Sequence, residues 1–145
     1  MGVCVALCLN WRDDGKDAIM FSHVMVGAND MAASKAFYDA LFQAIGAKPG
    51  GLDERGRAIY MHDGAIFMVT QPIDGQPACH ANGGTIGFTM TSPAQADAWH
   101  AAGVAAGGAS CEDPPAMRES PFGPLYLAYL RDPAGNKLCA LHRPG

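Results

Sequence analysis

The chain has 145 residues, enough for one domain with a substantial buried core. Hydrophobic residues make up 49% and charged residues 17%, which excludes an intrinsically disordered chain. The formal net charge is −4 and the ten Lys and Arg residues form no basic stripe, so nucleic acid is excluded as the expected partner and a small organic ligand in an apolar cleft is favoured.

Residues 1–19, "MGVCVALCLNWRDDGKDAI", carry an apolar run from Val3 to Leu9 that falls far short of the ~20 residues of a spanning helix. No Lys or Arg precedes it and no small-residue cleavage site follows, so neither a membrane span nor a signal peptide is expected. The segment reads as an N-terminal extension or an alternative start, with an edge strand or a dimer contact as the other role open to its apolar run. Cys4, Cys8, Cys79, Cys111 and Cys139 make an odd count without zinc-type Cys-x-x-Cys spacing, the pattern of reduced thiols in a cytoplasmic protein.

From Met20 onward the chain repeats one plan. Phe21–Val26 reads as a strand, and Asn29 or Asp30 caps a helix with apolar positions at Ala33, Phe37, Ala40, Leu41 and Ala44, stopped by Gly46. "AIYMHDGAIFMVT" follows as strand, Asp-Gly hairpin turn and strand. "PIDGQPACHANG" is a linker. The second half opens with a strand over Thr85–Met90, then Ser92 as cap, Pro93 at the first helical position and Gln95 completing a capping box, with Gly103 as the stop. "CEDPPAMRESPFGP" (111–124), which groups Glu112, Asp113, Arg118 and Glu119, reads as a solvated surface loop or as a long lid or binding loop. "LAYLRDPAGNKLCAL" is a second hairpin with a longer turn, and Tyr129 precedes Asp132 by the interval that separates Tyr60 from Asp63. The fold expected is α+β: two tandem βαβββ modules, about 20–72 and 83–143, in a single domain over 20–145.

In their order and spacing, and in "FSHVMVGANDMAASKAFYDALF" and "YLRDPAGNKLCAL", these modules resemble the vicinal oxygen chelate superfamily, which includes glyoxalase I, bleomycin-resistance proteins, fosfomycin-resistance transferases and extradiol dioxygenases. The resemblance implies a curled mixed sheet with a cup-shaped cleft, and a homodimer. It also implies four metal-ligand positions, which here hold His23, Met68, Thr85 and Cys139, the last replacing the glutamate usual after the Asp-Pro-x-Gly turn. A neutral Thr hydroxyl is a poor donor and a Met thioether is soft, so no metal and no other cofactor is expected; should a divalent ion bind, His23 and Cys139 would hold it.

The resemblance further points Tyr129 into the cleft, with Tyr60 as its counterpart in the first module. His23 and Tyr129 are the candidate catalytic pair, while Tyr60, Met68, Thr85, Cys139 and Arg118 are candidate ligand contacts, Arg118 as a clamp for a carboxylate or phosphate. His62, His100 and His142 are set aside as hairpin-tip, helix and opposite-face residues. Two functions follow: a lyase, isomerase or transferase acting on a small organic substrate, or a metal-free dimer that sequesters a ligand.

Overall fold

The computed structural model describes residues 20–145. The extension predicted over 1–19 lies outside the described residues. The first module runs β1 (Val24–Gly27), α1 (Met31–Gln43), β2 (Gly51–Leu52), β3 (Ala58–His62) and β4 (Ala65–Thr70). The second runs β5 (Ile86–Thr89), α2 (Pro93–Ala105), β6 (Ala109–Ser110), β7 (Ala116–Arg118), β8 (Leu125–Arg131) and β9 (Lys137–His142). Sheet 1 has the order β1-β4-β3-β2 and sheet 2 the order β5-β9-β8-β6, with β7 also paired to β8. In each, the first strand pairs parallel to the last and the rest is antiparallel.

The helices start where the caps predict. Asp30 accepts the Ala33 amide at 2.9 Å, and Ser92 accepts the Gln95 amide at 3.1 Å. The Gln95 side chain returns its bond to the Thr91 amide, at 2.7 Å. Gly103 does not end α2, which continues to Ala105. A Cβ at Gly103 would lie 2.3 Å from Leu130 Cδ1 and 3.0 Å from Leu41 Cδ1, so this glycine is there to let α2 pack closely on β8 and α1. The segment 111–124 is likewise not all loop, because β7 forms within it on the edge of β8.

Strand alternation divides each sheet into two faces. The inward residues Val26, Ala58, Phe67 and Val69 of sheet 1 join Ala128, Leu130, Leu138 and Ala140 of sheet 2 in one core. Phe37, Tyr38, Leu41 and Phe42 from α1 and Trp99 from α2 fill it. Phe88 packs on Phe42 and Phe67 across the module boundary, with centroids 5.4 and 5.6 Å apart, and on Trp99 of its own module at 6.0 Å. The outward faces of both sheets therefore turn away from a shared core.

The Asp-Pro-Ala-Gly turn latches the modules together. Buried Asp132 accepts the Ala134 and Asn136 amides on Oδ1, at 3.0 and 2.8 Å, and the Tyr38 hydroxyl and Asn136 Nδ2 on Oδ2, at 2.7 and 2.8 Å. Asn136 Nδ2 also donates to the Gly27 carbonyl at 3.0 Å, so the turn holds both α1 and β1 of the first module. Burial, reinforced by the Asp132 carboxyl, drives the Tyr38 phenol far above its ordinary pKa.

Candidate functional site on the outward sheet faces

The outward face of sheet 1 is apolar. Met25, Met68 and Ile59 stand in register across β1, β4 and β3, and Met61 follows on β3. Phe21, Met25 and Met61 are exposed, and a shallow hollow of about 390 Å³ opens beside Ile59 and Met61. His23 immediately precedes β1 and shares the Met25 face by alternation; it is exposed, with Nδ1 3.0 Å from Ser22 Oγ.

The outward face of sheet 2 is chemically richer. Tyr129 on β8 stands opposite Cys139 on β9, which stands opposite Gly87 on β5. The Arg118 guanidinium and the Lys137 ammonium lie 5.3 and 4.9 Å from the centre of the Tyr129 ring. Glu112 pairs with Lys137 and lies 3.7 Å from Arg118. Thr85 is exposed just before β5. Burial raises the Cys139 thiol pKa, opposed in part by its contact with Tyr129, and burial also raises the Tyr129 phenol, with Cys139 and Glu112 adding to the effect. At neutral pH this face thus offers a protonated phenol, a protonated thiol and two cations.

Of the predicted residues, Tyr129, Cys139 and Arg118 come together, with Met68 and His23 on the other sheet. Tyr60 does not take the place predicted for it. It faces the core, 3% exposed, and its hydroxyl donates to Asp39 at 3.0 Å and the Lys35 carbonyl at 3.3 Å. The outward counterpart of Tyr129 is Ile59, which stands opposite Met68 as Tyr129 stands opposite Cys139. Alignment on the turn aspartates missed this because the turns differ by an odd number of residues, and a one-residue slip moves a side chain to the opposite face. Burial would raise the Asp39 carboxyl, but Lys35, the Gly50 amide and the Tyr60 hydroxyl together hold it below its ordinary pKa.

Three functional or structural residues escaped the sequence reading. Lys137 lies two positions before Cys139, so strand parity alone would have placed it beside Tyr129. Tyr38 belongs to a second helical stripe, Ser34, Tyr38, Leu41 and Phe42, that is buried along with Phe37. His62 lines a crevice of about 420 Å³ between the β3–β4 hairpin, α1 and β5, walled by Phe42, Tyr60, Phe67, Ile86 and Phe88. Hairpin tips read as solvent-facing in sequence, which hid this histidine. The crevice is the larger hollow, but the outward face of sheet 2 carries the charged and titratable groups.

The donor set does not fit a hard divalent ion. His23 and Cys139 are usable ligands, whereas Met68 and Thr85 offer a thioether and a neutral hydroxyl. Among the described residues, no three His, Cys, Asp or Glu side chains come together in a group that could hold a metal ion. The described thiols, Cys79, Cys111 and Cys139, are free, and no helix among the described residues is long and apolar enough to cross a membrane.

Two modules, each a strand, a helix and a run of strands, define a scaffold that places ligand chemistry on the outward sheet faces and structural glue in its turns. The sequence profile of the Glyoxalase/Bleomycin resistance protein/Dioxygenase superfamily matches residues 20–140, and the chain belongs to this superfamily, the vicinal oxygen chelate group. A glyoxalase/bleomycin resistance protein from Albidiferax ferrireducens T118 is 57% identical, with a TM-score of 0.83 over 86% of this chain and 100% of that one. A glyoxalase-related enzyme from Fulvimarina pelagi is 18% identical (TM-score 0.66, 87% of this chain and 90% of that one). A lactoylglutathione lyase from Agrobacterium tumefaciens is 21% identical (TM-score 0.60, 87% and 96%). The last two share the fold alone. No curated protein matches the chain.

Proposed function

We propose that this glyoxalase-like protein is a cytoplasmic small-molecule-binding homodimer whose cleft works without a chelated divalent metal. The observation that carries this reading is the company kept by Cys139: at the position where the superfamily's carboxylate ligand is expected stands a buried thiol beside Tyr129, Arg118 and Lys137. Two cations are a poor setting for a metal ion and a good one for a polar organic ligand. Dimerisation supplies what one chain lacks. The outward faces turn away from their common core, so a second copy is needed to set the His23 face of sheet 1 against the Tyr129 face of sheet 2. Exposed Phe21, Met25 and Met61 give that contact apolar surface to bury.

In such a cleft the available chemistry is proton transfer at a carbon beside a carbonyl, as in a lyase or isomerase. His23 takes the proton as general base, and Tyr129, whose phenol is protonated at neutral pH, donates a hydrogen bond to the oxygen on which charge develops. Thr85, Met68 and Cys139 line the cup. The second reading, sequestration without turnover, is favoured by the apolar outward face of sheet 1 and its open hollow.

Elemental analysis of protein purified without chelator, with light-scattering mass determination, tests the reading. The expected result is a dimer without stoichiometric divalent metal; a metal lost on His23→Ala, or a monomer at all concentrations, overturns it. Thermal shift against a panel of small carbonyl compounds then identifies ligands, since a ligand selective for the native state raises the midpoint. Solvent deuterium exchange into a bound ligand, abolished in His23→Ala with binding retained, marks catalysis; binding without exchange marks sequestration.

A further inference from the structure

Arg118 and Lys137 form the densest concentration of positive charge on either outward sheet face, in a chain whose formal net charge is −4. Neither is placed there by a buried acid. Arg118 is held from behind by backbone carbonyls, its Nη2 donating to Asp113 at 2.9 Å and Pro114 at 3.3 Å. Lys137 stands on β9 opposite Arg131, with its ammonium over the Tyr129 ring and paired with Glu112. The third cation of the face, Arg131, is already committed to the Gly135 carbonyl at 2.8 Å. Between Arg118 and Lys137 sits one carboxylate, Glu112, whose backbone is in the left-handed region at φ 56°. A non-glycine residue pays a conformational cost to stand there, and one negative charge answers only one of the two positive charges. Leu127 and Leu141, the cross-strand pair next along the same face from Tyr129 and Cys139, offer half-buried apolar surface.

We propose that this is an anion subsite for a small organic acid: Arg118 and Lys137 hold the ligand's carboxylate, its apolar part lies against Leu127 and Leu141, and Glu112 fills the subsite from within until the ligand displaces it. The inference rests on the small-molecule reading above and adds the charge of the ligand. It also explains why two cations stand on the strands around Cys139: they supply, with fixed side chains, the positive charge that an oxyanion requires.

The test is calorimetric titration of the dimer with benzoate, inorganic phosphate and neutral benzyl alcohol, at an ionic strength of about 50 mM where exposed charges are weakly screened. Benzoate is expected to bind more tightly than either comparison compound. The Arg118→Gln, Lys137→Gln double variant should lose at least about tenfold in benzoate affinity, the factor that corresponds to about 1.4 kcal/mol. Glu112→Gln should gain affinity by about threefold or more through loss of the internal competitor, the opposite sign to the effect of removing a merely structural residue. Unchanged benzoate affinity in the double variant, or weaker binding in Glu112→Gln, overturns the proposal. Phosphate matching benzoate overturns the assignment to an organic acid. Benzyl alcohol binding as well as benzoate discards the anion subsite and leaves the small-molecule reading standing; binding of none of the three to folded dimer counts against both.

Discussion

The β3–β4 and β8–β9 hairpins occupy equivalent places in their modules, yet the first closes through Asp63 and Gly64 while the second closes through the five residues 132–136. The short turn is a surface device. Asp63 and Gly64 both take positive φ, 47° and 79°, as a two-residue hairpin requires, and the Asp63 side chain is 90% exposed. The long turn is folded inward, and its aspartate is 4% exposed with four donors on it. One motif thus performs two different tasks: in the first module it merely reverses the chain, and in the second it ties the modules together. The odd difference in length also sets which tyrosine reaches the outward face.

The largest effect that can break this comparison is on stability. Asp132→Asn replaces one accepting oxygen by a donor and orphans two buried donors at about 1–3 kcal/mol each, so a loss of about 2–6 kcal/mol is expected from urea unfolding. The matching substitution Asp63→Asn on the exposed turn should stay within about 0.5 kcal/mol. Equal losses at the two positions would mean that the latch is not what joins the modules.

A second prediction follows the latch to alkaline pH. The folded-state pKa of Tyr38 lies above that of an unfolded tyrosine, about 10. Below pH ~10 both states keep the proton and the contribution of Tyr38 is fully present; above it the unfolded chain releases a proton that the folded chain retains. Stability should therefore fall by about 1.4 kcal/mol per pH unit for this group, and Tyr38→Phe should remove about one proton from the alkaline slope. An unchanged slope would place the Tyr38 hydroxyl outside the core.

The two aligned tyrosines give a smaller and sharper contrast. Tyr60→Phe removes hydrogen bonds to Asp39 and the Lys35 carbonyl and should cost about 1 kcal/mol while leaving ligand affinity unchanged. Tyr129→Phe should leave stability within about 0.5 kcal/mol and weaken ligand binding. A ligand effect from Tyr60→Phe would instead direct attention to the crevice that Tyr60 shares with His62.

The repeat, the caps and the Asp-Gly hairpin were legible in the sequence because each is a local signal: a short polar residue before a helix, a glycine where φ must be positive. Ser92, Pro93 and Gln95 illustrate this, since all three act within four residues. Gly103 was not legible as an interior helix residue, because its reason lies on Leu130 and Leu41, distant in sequence. The Tyr38–Asp132 bond joins residues 94 apart, beyond any local pattern. At the site, the family resemblance pointed Cys139 and Tyr129 into one cleft, and strand parity applied two residues before Cys139 would have found Lys137. Tyr60 stands as far before its turn as Tyr129 does, but its pairing with Phe67 on β4 turns it to the core side.

The last contrast is between sulfurs. Met68 and Cys139 hold equivalent outward positions, but only the thiol can report how closed its face is. Cys139 is 6% exposed and its pKa is raised, chiefly by burial, whereas Cys79 is exposed in the linker. Since the thiolate is the reactive form, iodoacetamide at neutral pH should modify Cys79 first and Cys139 at least about tenfold more slowly, with the order read by peptide mass spectrometry. In urea the two rates should converge, because the barrier is burial and not sequence context. Native Cys139 reacting as fast as Cys79 would mean a thiolate open to solvent beside Arg118 and Lys137. The outward face of sheet 2 would then carry a nucleophile, and the protonated-thiol description of that face would fall.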